Sequence, residues 1–387
     1  MCLLEFYLEL IFVKLFEMSD ENREQKNHAD KDISWKEWRH EKKQLHKKWK
    51  EQRLLKKLEK KRKREEAEKS KEIELKAESN NGRDYTLSIA LPGSILDNAQ
   101  TAELQTLLAG QIARAATIFN VDEIVVFDET GSLHKSEKNA ETLIYGDKGY
   151  SNIQLSRILQ YLECPQYLRK ELIPLHPDLK YSGLLNPLDA PHHLRATDEC
   201  RYREGVVANL PIKEGKGSYV RVGLKKEARI DKALEIGTRV TVRLEPDRES
   251  KKHLKGVAVS PSAPRVEAGI YWGYSVRLAS SLSAAIAECP FKDGYDIIVG
   301  TSDKGDNVDK VKLFPFKHML VVFGGLGGIE ASLESDEMLK VEDPRFLFHY
   351  YLNTCPDQGS RTIRTEEAIL VSLAALRRKI LKCQKKR

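Results

Sequence analysis

The chain holds little from which a cysteine or metal site is built. Its six cysteines (Cys2, Cys164, Cys200, Cys289, Cys355, Cys383) form no C-x-x-C pair and do not cluster with histidine. That excludes zinc-ligand spacing and a disulfide framework, and points to a reducing compartment. His192-His193 is the only adjacent histidine pair, and it reads as a surface loop rather than a ligand set. Long apolar runs are scarce too. Residues 1–17 come nearest, but Glu5, Glu9, Lys14 and Glu17 interrupt them, and no basic leader or small-residue cleavage site is present. This reads as neither a signal peptide nor a membrane span. A polar stretch begins at Met18, where translation is expected to start. No G-x-G-x-x-G follows an early strand, and no Lys-Ser/Thr follows a glycine cluster, which excludes dinucleotide and Walker-A phosphate loops.

Charge, by contrast, is plentiful and local. Of 387 residues, 32% are charged, yet residues 36–64 alone carry 15 Lys/Arg against 4 Glu. The whole chain is +7, so everything outside that +11 segment sums to −4. A mildly acidic body thus bears a basic arm. Residues 1–34 read as a disordered leader and 35–80 as a solvated, charged helix. Lys60-Lys61-Arg62-Lys63-Arg64 resembles a nuclear-targeting cluster that can also touch phosphates in a salt-dependent way. A plain solubilising arm is the other reading.

Beyond residue 84 the pattern is strand (85–91), helix (96–119) and strand (123–127), a βαβ unit that demands a parallel sheet. Asp128-Glu129 at the second strand's tip is a carboxylate pair of a kind that can be catalytic, though loop polarity is the favoured reading. A further helix is expected over 152–168. Short strand-like runs then appear at 203–210, 218–224, 239–244 and 254–259, the signature of a small all-β barrel. Its size fits an OB-like platform for nucleic acid. Ser260-Pro261-Ser262-Ala263-Pro264 reads as the exit linker, after which α/β character returns.

The most informative stretch lies near the C-terminus. Residues 318–323 are an apolar run of the kind a doubly covered parallel strand requires. The run stops at Gly324-Gly325-Leu326-Gly327-Gly328, with Glu330 just beyond. Taken alone, such a loop is either a plain turn or a crevice that lets a ligand meet the backbone. Two further small-residue loops, 300–305 and 353–361, also follow strand-like runs. Ligands of open α/β sheets sit at strand carboxyl ends, so three such loops favour a pocket.

FGGLGGIE (323–330) and NTCPDQGSRTIRTEEAILVSLAAL (353–376) closely resemble the C-terminal signature of the SPOUT (α/β-knot) RNA methyltransferases. Within that class the likeness is to the eukaryotic and archaeal branch with an inserted OB-like barrel. It runs from about residue 85 to the end of the last helix.

The resemblance implies a parallel-sheet α/β-knot domain in two sequence halves, 84–194 and 264–387, with the barrel (197–261) between them and the basic extension ahead. It implies S-adenosylmethionine as cofactor, held by Thr301, Lys304 and Gly305, by Gly324, Gly325, Gly327, Gly328 and Glu330, and by Asn353, Thr354, Gln358 and Gly359. Arg361 and Arg364 are the catalytic candidates, clamping phosphate or stabilising an oxyanion on a uridine ring. Salt bridges to Glu366 and Glu367 are their alternative. Arg203, Lys216, Arg221 and Arg277 are the RNA-contact candidates. No metal site and no general base stand out.

A ribosomal or other nuclear RNA is the expected partner. A homodimer, no membrane, and a spindle or kinetochore association are further expectations, with a nuclear or nucleolar location, also cytoplasmic or on the spindle. The contrasting class is a non-catalytic RNA-binding or scaffold protein that keeps the fold. Only the enzyme needs the glycines of 324–328.

Overall fold

The computed structural model describes residues 82–130, 149–211, 217–245, 253–339, 341 and 343–384, together with Lys43, Lys47 and Lys50. Two compact units are distinguished, residues 1–76 and 77–387. In the first, Lys43, Lys47 and Lys50 are helical. The leader, the rest of the basic arm and Lys216 lie outside the described residues.

The second unit begins with β1 (Thr86–Pro92), buried along its whole length. A 3₁₀ turn (Gly93–Asn98) precedes α1 (Ala102–Ile118), so the helix expected over 96–119 starts later. Thr101 explains the delay: its extended backbone and a hydroxyl that accepts the Leu104 N–H fix the N-terminus there. After β2 (Glu123–Phe127) come α2 (Tyr150–Glu163) and α3 (Gln166–Leu172). Pro165 holds Cys164 extended and splits what reads as one helix.

The chain next builds the barrel from β3 (Tyr202–Val207), β4 (Tyr219–Arg221), β5 (Ala228–Arg229), β6 (Arg239–Leu244) and β7 (Leu254–Val259). It returns through α4 (Ala263–Ala268), β8 (Ser275–Ala279), α5 (Leu282–Ala287), β9 (Ile297–Asn307) and β10 (His318–Val322). α6 (Gly328–Ser335), β11 (Tyr350–Asn353) and α7 (Thr365–Gln384) complete it.

The sheet runs β11-β9-β10-β1-β2-β8 with every pairing parallel. Strand periodicity divides its side chains cleanly between two cores. Met319 and Val321 join Ile89, Ile124, Ile112 of α1, Leu155 of α2 and Leu373 of α7 on one face. Leu320 and Val322 join Val125, Phe127, Leu282 of α5 and Leu333 of α6 on the other. Because all strands are parallel, their carboxyl ends share one edge. The expected α/β sheet is there.

So is the barrel, closed in the order β3-β4-β5-β7-β6 around Val207, Val220, Val222, Val240 and Val242. Its connectivity fits an OB-like barrel. Two expectations are corrected here. Arg203 is not an RNA contact: it is fully buried, and its guanidinium donates to the carbonyls of Val222, Arg195 and Asp198. Its cation staples the barrel's entry strand to the preceding loop. The exit is no free linker either, because α4 forms within it and Arg265 donates to the carbonyls of Arg83 and Tyr85.

Barrel and sheet domain are joined by a buried ionic cluster. Arg239 of β6 donates twice to the Glu163 carboxylate at the end of α2, at 2.7 and 2.9 Å, and once to Glu204 of β3 at 2.8 Å. Trp272 Nε1 and the Thr241 hydroxyl also donate to Glu204. His192 and His193, expected on a surface loop, both place Nε2 on the Glu163 carbonyl, and His192 is fully buried.

Burial alone would raise the Glu163 carboxyl, but hydrogen bonds from His192 and Arg239 outweigh it and hold it well below its usual range. Burial likewise drives His193 down to about 4. Both signs agree. Stability from a depressed histidine is complete above its ordinary 6.5 and is lost as pH falls toward 4. Glu163 adds to the loss below its ordinary 4.5. The melting temperature is therefore expected to drop between pH 7 and 4, and His193→Gln to flatten the part above pH 5, as read by calorimetry.

Candidate active site

Loops from β9, β10 and β11 meet at the carboxyl edge of the sheet. The first, 301–305, is an excursion within β9. Tyr351 pairs with Gly300, but the next residue of β11, Leu352, pairs with Asp306, so the residues between bulge out of the sheet. The sequence pattern places the end of this strand near 300; the strand instead resumes beyond the bulge. Thr301 anchors the excursion through a hydroxyl donating to the Val322 carbonyl at 2.9 Å. The second loop, 324–328, leaves β10 and turns at Gly328, whose φ of +75° is left-handed. The third, 354–364, connects β11 to α7.

Cross-links tie the three together. Lys304 Nζ reaches Glu330 at 2.9 Å, linking the first loop to the second. Asn353 donates its side-chain amide to the Asp303 carbonyl at 2.9 Å, linking the first to the third. The Thr365 hydroxyl donates to the Gly324 carbonyl at 2.9 Å, closing the triangle. Thr354 is bonded to Ser372 of α7 at 2.7 Å.

The triangle brings together ten of the expected cofactor residues, Thr301 through Thr354. Gln358 and Gly359 follow on the third loop, where the Gln358 amide donates to the Ser360 carbonyl. The exposed Arg361 and Arg364 lie just beyond, and neither guanidinium forms a salt bridge with a described carboxylate. Burial acts to raise the Glu330 carboxyl, but the hydrogen bond and charge of Lys304 overcome it and hold it low. Glu330 is thus a standing acceptor at the rim, and the Tyr351 hydroxyl also donates to it.

The glycines are needed for the loop's own packing. A Cβ on Gly324 would lie 2.4 Å from the Gly328 carbonyl carbon and 2.5 Å from the Ile329 nitrogen. One on Gly325 would lie 2.7 Å from the Glu129 carboxylate.

That contact exposes a residue the sequence reading passed over as loop polarity. Glu129 leaves the tip of β2 and sits against the glycine loop. Ser94, in the turn after β1, donates to one carboxylate oxygen, and Ser332 of α6 donates to the other at 3.4 Å. The Ser335 hydroxyl donates to the Glu129 carbonyl at 2.5 Å. Burial raises this carboxyl above the usual range, the serine bonds work against it, and Asp128 and Asp97 add to the rise. A carboxylate at a strand's carboxyl end was the available signal.

Of the RNA-contact candidates, Arg221 is exposed on the barrel, paired with Glu171 at 2.8 Å. Arg277 is a correction. It lies on β8, turned onto Glu123 at 3.1 Å and the Ala285 carbonyl at 2.8 Å, and so neutralises a buried strand carboxylate. Among the described residues no histidine, cysteine and carboxylate cluster has metal-binding geometry.

Residues 86–376 match the model of the family described as "Putative RNA methyltransferase". The chain is 61% identical over 299 residues to a mouse protein named 28S rRNA (uridine-N(3))-methyltransferase, covering 77% of each. It is 58% identical over 313 residues to the human protein of that name, covering 80% of this chain and 83% of that one. The fruit-fly counterpart is 52% identical over 357 residues, covering 90% and 73%.

Proposed function

The chain belongs to this RNA methyltransferase family, and from that premise we propose that it methylates N3 of a uridine in large-subunit ribosomal RNA, with S-adenosylmethionine as donor. The observation that carries the reading is the closed triangle of loops at the sheet's carboxyl edge, in a chain whose mouse, human and fly relatives bear that activity in their names.

The residues present fit the donor. A nucleoside needs acceptors for a ribose diol and backbone polar groups for an adenine edge. Glu330 supplies the first, while the glycine loop and Asn353 supply the second. When bound, S-adenosylmethionine supplies a methyl group already activated on sulfonium. The chain's own part is placement and charge. Gly325, Gly327 and Gly328 admit the nucleoside close to the backbone. Arg361 and Arg364 hold RNA phosphate or the uridine O-anion, where a guanidinium matches either geometry. Arg221 extends the basic surface along the barrel.

The same proposal includes a homodimer and a nuclear or nucleolar location. Leu326, Met338 and Phe346, 84%, 78% and 84% exposed on and after the glycine loop, support the first. The 60–64 basic cluster supports the second. Spindle or kinetochore association rests on the resemblance alone.

Two measurements test the reading. Calorimetry should give micromolar binding of S-adenosylmethionine to the full chain. Mass spectrometry of ribosomal RNA should show an N3-methyluridine lost when the gene is deleted and restored on re-expression. Binding absent at millimolar cofactor, in folded protein, would turn the assignment to an RNA-binding scaffold. Glu330→Gln is expected to weaken binding about 10- to 100-fold, the worth of a charged hydrogen bond. Its melting temperature should move little, since the Lys304 end of the pair is 71% exposed and solvent screens the interaction.

A further inference from the structure

We propose that Glu129 is the catalytic base that takes the N3 proton of the target uridine, an inference that rests on the substrate reading above. A uridine N3 carries a proton and lacks a free electron pair for the methyl group, so the transfer needs an acceptor. In the step, the N3–H bond breaks, a carboxylate O–H bond forms, and the electron pair stays on N3. That pair forms the N3–carbon bond as the donor's carbon–sulfur bond breaks, its electrons remaining on sulfur.

Position selects Glu129. It stands where three elements converge at the carboxyl edge: the tip of β2, the turn after β1 and the glycine loop after β10. Its carboxylate lies against Gly325, within 2.7 Å of where a Cβ there would stand. It is half-buried, with serine hydroxyls on both oxygens. The neighbouring carboxylates are otherwise engaged. Glu330 is bound to Lys304, and Asp128 accepts from the Thr130 N–H and hydroxyl.

Among the described residues, Asp128 just past the end of β2 and Asp97 at the end of the turn after β1, both acidic, act on Glu129, and Ser332 and Ser335 meet it from α6. Such surroundings raise its proton affinity, which suits an acceptor working near neutral pH. The serines orient the carboxylate without neutralising it.

The test uses the full chain and Glu129→Gln, which keeps the shape and removes the titration. The RNA probe is ribosomal RNA from cells lacking the gene. Under single turnover the wild-type rate should rise with pH and level off once Glu129 is ionised. Glu129→Gln should be slower by about 10²- to 10⁴-fold and climb with pH without levelling. Calorimetric binding of S-adenosylmethionine should stay within twofold.

Thermal unfolding gives a readout independent of activity. A carboxyl raised in the folded state contributes stability at low pH that is lost as pH rises through its folded value. Glu129→Gln should therefore melt above wild type at pH 7.5, with the gap closing toward pH 5. A variant that keeps its rate within threefold overturns the proposal and leaves the substrate reading intact. A variant that melts lower at pH 7.5 and loses cofactor binding makes Glu129 a brace, which also overturns it. Wild type that binds cofactor but leaves uridine N3 unmethylated overturns the substrate reading, and this inference with it.

Discussion

Gly324→Ala is expected to abolish methyl transfer, with a rate loss of at least 100-fold, while the barrel stays folded. The added methyl would sit 2.4 to 2.8 Å from three backbone atoms of Gly328 and Ile329. Backbone cannot rotate aside as a side chain does, so the glycine loop and the start of α6 must separate. Overpacking of this kind costs about 1–3 kcal/mol, which the domain can absorb. The catalytic geometry cannot, since a misplacement of about 1 Å is worth about 100-fold. The same shift strains the Thr365 bond to the Gly324 carbonyl and so reaches the third loop. Single-turnover transfer, with melting temperature measured alongside, checks this. Gly183→Ala, where the added methyl meets open space, should match wild type in both. Transfer by Gly324→Ala within threefold of wild type would show that the loop lies outside the site.

Arg239→Ala is expected to be the most destabilising single change at the barrel junction. It removes the partner of two carboxylates at once, leaving Glu163 and Glu204 buried with uncompensated charge. Breaking a buried pair from one side costs about 3–5 kcal/mol. A value of about 3 kcal/mol is appropriate here, because a third of the arginine side chain is exposed and solvent screens part of the loss. The urea midpoint reports the stability change. Adding Glu163→Gln to Arg239→Ala should recover part of it, because the amide no longer needs a cation. Cofactor binding at the opposite edge of the sheet should stay within twofold, whereas RNA affinity should fall as the barrel's seating loosens. An unchanged urea midpoint would mean that the cluster is solvated and contributes nothing.

Much of this architecture is legible in the sequence because it is local. The run 319–323 is apolar throughout and rich in β-branched residues, as a strand covered on both faces requires. The glycines end it where a crevice belongs. The barrel strands announce themselves by alternation, except β5, whose two residues carry no period.

What was misread is non-local. Arg203 looks like a cation offered to RNA, and only the folded chain shows carbonyls converging on it from residues 195, 198 and 222. Glu129 looks like a solvated loop residue because its meaning depends on Gly325 and Ser332, some 200 positions downstream. The histidine pair looks like surface loop because nothing beside it indicates Glu163, 29 and 30 residues earlier.

The centre of the sheet carries a consequence for biosynthesis. β1 lies between β2 and β10, and Thr86 pairs with His318, 232 residues later. At about 5–20 residues per second of translation, β1 waits roughly ten to fifty seconds on the ribosome before its second neighbour exists. Meanwhile the barrel, whose pairings all close within residues 202–259, can collapse and partly shield the nascent chain. The wholly buried TLSIALP strand meanwhile has an open hydrogen-bonding edge. It is therefore expected to be the stretch most open to mispairing during synthesis.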